Sequence, residues 1–185
     1  MHMSDARKRY NAFPGLYGLI FLNLEPLSTL IPAVATVFVP GGAAWFYNEQ
    51  VPGGSFQPVD GPHIKMVLGQ LVDAYAVIGM LSAFGFRAVR RALPHDPVAQ
   101  DRILGASLGV LAVADLTHVA ATVAALPWEV VTNPAIWNGT VYGNIVGSVF
   151  FFVLSQNEFI LIRQRMSWFA GIGRQSADST PSKVE

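Results

Sequence analysis

The chain has 185 residues, of which 52% are hydrophobic and only 13% charged, with acids and bases in balance and a mean hydropathy of +0.40. An ordinary soluble domain carries about 25% charged residues, so the composition indicates an integral membrane protein, with length for one domain. The absence of cysteine excludes disulfides, Cys-ligated zinc, iron–sulfur clusters and thiol nucleophiles, and the neutral balance gives no reason to expect nucleic acid as a partner.

The first apolar run extends from about Phe13 to Val39, behind a basic cluster of Arg7, Lys8 and Arg9. It is longer than the roughly 7 to 15 apolar residues of a signal peptide, carries Glu25 near its centre and has no clear small-x-small cleavage site, so it reads as a span. Further runs cover about 65–86, 103–126 and 141–162, each close to the roughly 20 residues that a helix needs to cross the hydrocarbon. The expectation is an all-α integral membrane four-helix bundle occupying residues 1–173, with a polar, disordered tail over 174–185.

Orientation follows from Lys and Arg. The N-terminal cluster, the second connection (Arg87, Arg90, Arg91, Arg102) and the tail (Arg163, Arg165, Arg174) are basic, whereas the first connection holds Glu49 and Asp60 and the third only Glu129. This alternation predicts both termini on the cytoplasmic side of a multi-pass protein, with the endoplasmic reticulum as the expected membrane. Trp45, Phe46, Tyr47, Trp128, Trp137 and Tyr142 fall near the opposite ends, where an aromatic belt belongs. The first connection is rich in Gly and Pro and reads as an irregular cap over the bundle. No internal repeat is evident.

An ionisable group at membrane depth costs about 2.5 to 3.5 kcal/mol or more, so such groups point to function. Glu25 and Asp115 lie near the middle of their spans, with Asp73 and His118 roughly 12 Å below the non-cytoplasmic surface. Asp115 and His118 are three residues apart and share a helix face. Asn138, Tyr142 and Asn144 open the fourth span as candidate substrate-binding donors at the same level. Asn23 sits about 200° around the helix from Glu25 and faces away from it, while Pro26 and Pro32 disturb the helix beside the acid. A purely structural role for these polar residues, as bonds between helices, is the competing reading.

The other polar positions have simpler readings. His118 lacks the Glu-x-x-His or His-Glu-x-x-His spacing of a metal site, and His63 and His95 fall in connections on opposite sides, so neither a metal nor another cofactor is expected. Gln156 and Glu158 read as an interfacial cluster with Arg163. Asn138-Gly139-Thr140 matches a glycosylation sequon, and Gly105-x-x-x-Gly109 lies on a small-residue face suited to close helix packing.

Two carboxyl groups close together in a site of low dielectric cannot both ionise, which leaves an acid beside a base. Such a couple can protonate an epoxide, alkene or carbonyl oxygen or carbon and withdraw a proton elsewhere. Ser28, Ser107 and Ser148 lack an evident activating base, so acyl transfer is disfavoured. The expected partners are a lipophilic small molecule and membrane lipid, and the sequence leaves a homo-oligomer open.

The segment Leu19-Ile20-Phe21-Leu22-Asn23-Leu24-Glu25-Pro26-Leu27-Ser28 resembles the opening span of a family of small four-span fungal membrane proteins. That family shows a Phe-x-x-x-Glu-Pro-x-Ser pattern and an Asp in the second span, here Asp73, and the likeness covers the length of the chain. The resemblance implies secondary metabolism and kinship with the small hydrolases of polyene-polyether pathways, which open polyketide epoxides. In outline the chain is also similar to sterol isomerases of the emopamil-binding type and to membrane terpene cyclases. The functions implied are epoxide opening, hydrolysis or cyclisation on a polyketide or terpenoid, isomerisation or cyclisation of a sterol-like or prenyl substrate, or non-catalytic lipid binding.

Overall fold

Four long apolar helices, each able to cross a membrane, make up most of the protein in its computed structural model, which describes residues 10–178 and the side chains of residues 10–167. They are α1 (Leu16–Phe38), α3 (Pro62–Ala92), α4 (Pro97–Ala125) and α6, which starts at Gly139 and spans through Ser167. Two short helices, α2 (Gly42–Asn48) and α5 (Trp128–Val131), lie in the first and third connections, and no strand is present among the described residues. The basic cluster at Arg7, Lys8 and Arg9 lies outside the described residues. The last helical segment runs to Asp178, into the stretch expected to be a disordered tail, and 179–185 lie outside the described residues.

Three of the four spans contain a π-helical turn, at Ile20–Leu24, Leu81–Gly85 and Gly143–Gly147. The first has a local cause. Pro26 has no N–H for the carbonyl of Leu22 and its ring would crowd that oxygen, and the chain widens just before it, with the Glu25 N–H reaching Ile20. Hydroxyls then bond the carbonyls of the Pro-bearing stretch: Ser28 donates to Glu25 at 2.6 Å, Thr29 to Pro26 at 3.1 Å and Thr36 to Pro32 at 2.7 Å. In an apolar medium, satisfying backbone groups within the segment is what permits proline there.

The principal helix pairings are α4 with α6 and α1 with α3. At the second, Gly79 is pressed against Thr29 and Leu30, and a Cβ there would come within 2.6 Å of Leu30 Cγ. In the first, Gly105 faces Ile162, whereas Gly109 faces open space, so only one glycine of the Gly105-x-x-x-Gly109 match makes a close approach. The residues at 93–96 form a tight turn in which Asp96 caps α4 by accepting from the Ala99 N–H at 2.9 Å.

The N-terminal segment meets this turn, with the Tyr10 N–H donating to the Pro94 carbonyl at 2.9 Å, and the far end of α6 reaches the start of α4 through Arg165 and Asp101, which together define the terminal end of the bundle. Its core joins Phe13, Ile20, Phe21 and Leu22 to Phe86 of α3, Leu104 and Leu108 of α4, and Ile162 of α6. A buried polar clamp lies beside it. Arg165 reaches Asp101 through Nε at 3.1 Å and Glu158 through a terminal nitrogen at 2.8 Å, both acids being fully buried. Arg165 also donates to the Ala12 carbonyl, and the Tyr10 hydroxyl reaches both Asp101 oxygens at 2.8 and 2.9 Å. Burial, with the bond to Asp101 next in weight, pushes the Tyr10 phenol above its ordinary range and keeps it a donor. Glu158 therefore pairs with Arg165 inside the bundle. The interfacial cluster expected with Arg163 does not form, because that side chain turns outward over the Phe159 ring, 5.6 Å from its centroid.

At the opposite, loop end, the first connection is more ordered than an irregular cap. The backbone turns through Gly41 at φ 76°, and α2 folds back so closely that a Cβ on Gly42 would collide with the Ala35 carbonyl. Asn138 caps α6 by accepting from the Val141 N–H at 3.0 Å, and its amide donates to the backbone and side-chain oxygens of Glu49 at 2.8 Å each. This ties α2 to the start of α6.

Candidate functional site

Between the helix pairs, in the half of the bundle nearer the loop end, lies a cavity of about 480 Å³. Its floor is the terminal-end core, because Leu111 and Phe151 pack on that core and also line the cavity. Trp45, Phe46 and Glu49 of the α2 segment, with Gly139 and Thr140, line it from the loop end. The π turn of α6 contributes Gly143, Asn144 and Gly147, and a Cβ at either glycine would meet open space.

Glu25 and Asp115 both line this cavity, from α1 and α4, and they lie close enough to interact electrostatically. Glu25 is 7% exposed, and its Oε2 makes no hydrogen bond among the described residues. Ser82, inside the π turn of α3, lies beside that carboxyl, and its buried hydroxyl also has no hydrogen bond among the described residues. Both atoms are enclosed by protein and Ser82 does not line the cavity, so these two neighbouring polar groups lie within the cavity wall. His118 lines the same wall as Asp115, as their i, i+3 spacing requires, and its ring centroid is 6.3 Å from that of Tyr75 on α3.

The structure thus brings Glu25, Asp115, His118 and Asn144 together and leaves three other candidates outside. Asp73 is exposed on α3 and does not line the cavity. Its helix turns Tyr75 and Ile78 inward, and Asp73 lies on another face, near exposed Gln70 and Val77. Asn138 is a helix cap whose amide holds Glu49, so its polar atoms are engaged in the fold. Tyr142 points away, stacks edge-on against Trp137 at 5.2 Å and donates to the Pro134 carbonyl at 3.0 Å. Asn23 also turns outward, accepting from Arg87 at 2.8 Å.

Two lining residues escaped the sequence reading. Tyr75 is an aromatic residue inside an apolar span and carries no distinguishing signal there. Glu49 stands in a connection that only folds back because α2 forms. The small residues at 139, 143 and 147 were a usable signal, since spacing by four aligns them on one helix face.

No Lys or Arg is among the described residues lining the cavity, whose walls are largely apolar, with Pro32, Phe46, Ile78, Leu111 and Phe151 around the acids. Its volume lies within the roughly 300–1,000 Å³ of small-molecule sites, and its polar groups come from all four spans and the α2 segment.

No curated protein and no solved structure matches the chain. Residues 10–161, which include the first three spans, most of the fourth and every residue of the cavity, match a family described as Domain of unknown function (DUF7704). The chain is a member of the DUF7704 family.

Proposed function

We propose that this protein is a membrane-embedded acid/base enzyme that opens, hydrolyses or cyclises an epoxide on a lipophilic polyketide or terpenoid. The observation that carries the reading is the meeting of Glu25 and Asp115, from two different helix pairs, at one largely apolar cavity with His118 beside them. Membrane insertion disfavours each acid by about 2.5 to 3.5 kcal/mol or more, which argues for a use that offsets it.

The chemistry requires one carboxyl protonated and the other ionised. The acid gives its proton to the epoxide oxygen as the C–O bond breaks. Water, or a hydroxyl of the substrate, attacks the carbon, and the carboxylate takes the proton that the nucleophile loses. The product is a diol or a cyclic ether. Afterwards the two carboxyls have exchanged protonation states, and His118, adjacent to Asp115, is placed to return the proton. The same proposal sets the reaction in the endoplasmic reticulum, with both termini cytoplasmic.

The test uses purified protein in liposomes with a long-chain aliphatic epoxide and a polyprenyl terminal epoxide, in water labelled with heavy oxygen. Hydrolysis puts the label into a diol, and cyclisation consumes the epoxide without it. In a parallel assay in deuterated water, deuterium taken up at carbon by a sterol-like alkene, with no oxygen uptake, would identify an isomerase instead. Glu25→Gln and Asp115→Asn are expected to remain folded and lose turnover; retained turnover in both overturns the acid/base assignment.

A further inference from the structure

A second cavity, of about 360 Å³, lies beside the first, between α2 and the start of α3. Ile64, Val67, Leu68 and Leu71 give it an apolar wall, and Gln50 and His63 add polar groups. Val67 is 66% exposed and Leu71 37%, so the groove reaches the outside of the bundle, on the first turns of a helix long and apolar enough to cross a membrane. One residue, Phe46, lines both cavities. Its ring is almost fully buried and meets Tyr75 edge-on at 6.0 Å, and Tyr75 in turn stands against His118. Groove, Phe46, Tyr75 and His118 form a continuous line from the outside of the bundle to the wall that carries Asp115.

We propose that this groove is the lateral entrance subsite for the chain of a lipophilic ligand, and that the Phe46 ring is the partition the ligand passes to reach the central cavity. The inference rests on the reading that the central cavity takes a lipophilic molecule. It does not need catalysis. The ligand class is an extended hydrocarbon chain bearing a small uncharged polar group, which Gln50 and His63 can receive at the groove while the chain lies along Val67 and Leu71.

The movement is confined to the side chain, because the α2 backbone is held at both ends. Gly42 is seated on the backbone of Ala35 and Thr36. At the other end, Asn48 is bonded to Gln57 in both directions, at 2.7 and 3.0 Å, and Glu49 is held by Asn138. The helix therefore stays in place while the ring swings.

Because the chain has no cysteine, a single introduced thiol reports access directly. Ala114→Cys places one on the cavity wall, and Val110→Cys, at a position 70% exposed on α4, places a control on the outer surface. Both are labelled in liposomes with N-dodecylmaleimide and with a membrane-impermeant sulfonated thiosulfonate. Ala114→Cys is expected to react with the lipophilic reagent several-fold faster when combined with Phe46→Ala and several-fold slower with Phe46→Trp or Leu71→Trp. The Val110→Cys control should keep one rate in every background. Equal rates at Ala114→Cys across the Phe46 and Leu71 variants, or faster labelling there by the sulfonated reagent, overturn the entrance. Either result leaves the acid/base reading intact, since that is read from turnover and label incorporation.

Discussion

At the terminal end, Asp101 and Glu158 are fully buried and Arg165 answers both, with Tyr10 adding a donor to Asp101. At the loop end, Glu25 is also buried and Asp115 half-buried, yet no Lys or Arg is among the described residues lining their cavity. The first arrangement answers two acids with one cation and joins three segments of the chain, with one Glu158 oxygen left without a bond among the described residues. The second sets two acids from different helix pairs at an open volume with no cation beside them. Buried acids with a cation in place hold a fold together, while acids that meet at a void without one are what the proposed site requires.

The sharpest way to break this contrast is to neutralise one group at each end and ask what is lost. Glu25→Gln and Asp115→Asn should each lower turnover by about 10² to 10⁴, the usual range for removing a general acid or base, with unfolding in detergent little changed. Arg165→Met should do the reverse. Leaving Asp101 and Glu158 buried without their cation costs about 3–5 kcal/mol, read as a lowered midpoint of thermal or detergent-induced unfolding. An Arg165 variant as stable as the parent would mean that the clamp holds nothing.

Tyr10→Phe is a milder probe of the same end. It removes a donor to a carboxylate, which contributes about 1.5–3 kcal/mol. Because the phenol is raised above its ordinary value in the folded protein, its contribution is fully present below that ordinary value and is lost only as pH rises through the folded one. Stability measured from neutral pH to the ordinary phenol range, about pH 10, should therefore show no loss traceable to Tyr10. A Tyr10-dependent loss within that window would show that the bond to Asp101 is weaker than its geometry.

The four spans were legible because hydrocarbon thickness fixes the length of an apolar run, and the four helices fall where the runs are. Their ends were less so. Arg87 extends α3 toward the terminal end by bonding the Ala83 carbonyl and Asn23, and the expected connection shrinks to a turn at 93–96. The meeting of Asp115 and His118 followed from spacing on one helix. The clamp did not, since Asp101 and Arg165 are 64 residues apart and no local pattern links them. Which face of a span turns inward is also poorly encoded. Lipid is as apolar as a helix interface, so the hydrophobic period that marks the buried side in water is weak here.

Asp73 is where that weakness matters and where the smallest effect is expected. It shares with Asp115 its residue type and a place within a spanning helix, so depth alone cannot separate them. They differ in direction, for Asp115 lines the cavity and Asp73 is exposed on another face of its helix. Asp73→Asn makes the same chemical change as Asp115→Asn at a position outside the cavity. Turnover should stay within about twofold of the parent, the scale of an exposed substitution, and stability in detergent should hold or rise because an ionisable group has left the apolar face. A loss of turnover matching that of Asp115→Asn would show that the site extends beyond this cavity to the outer face of α3. Catalysis would then depend on what covers that face in the membrane.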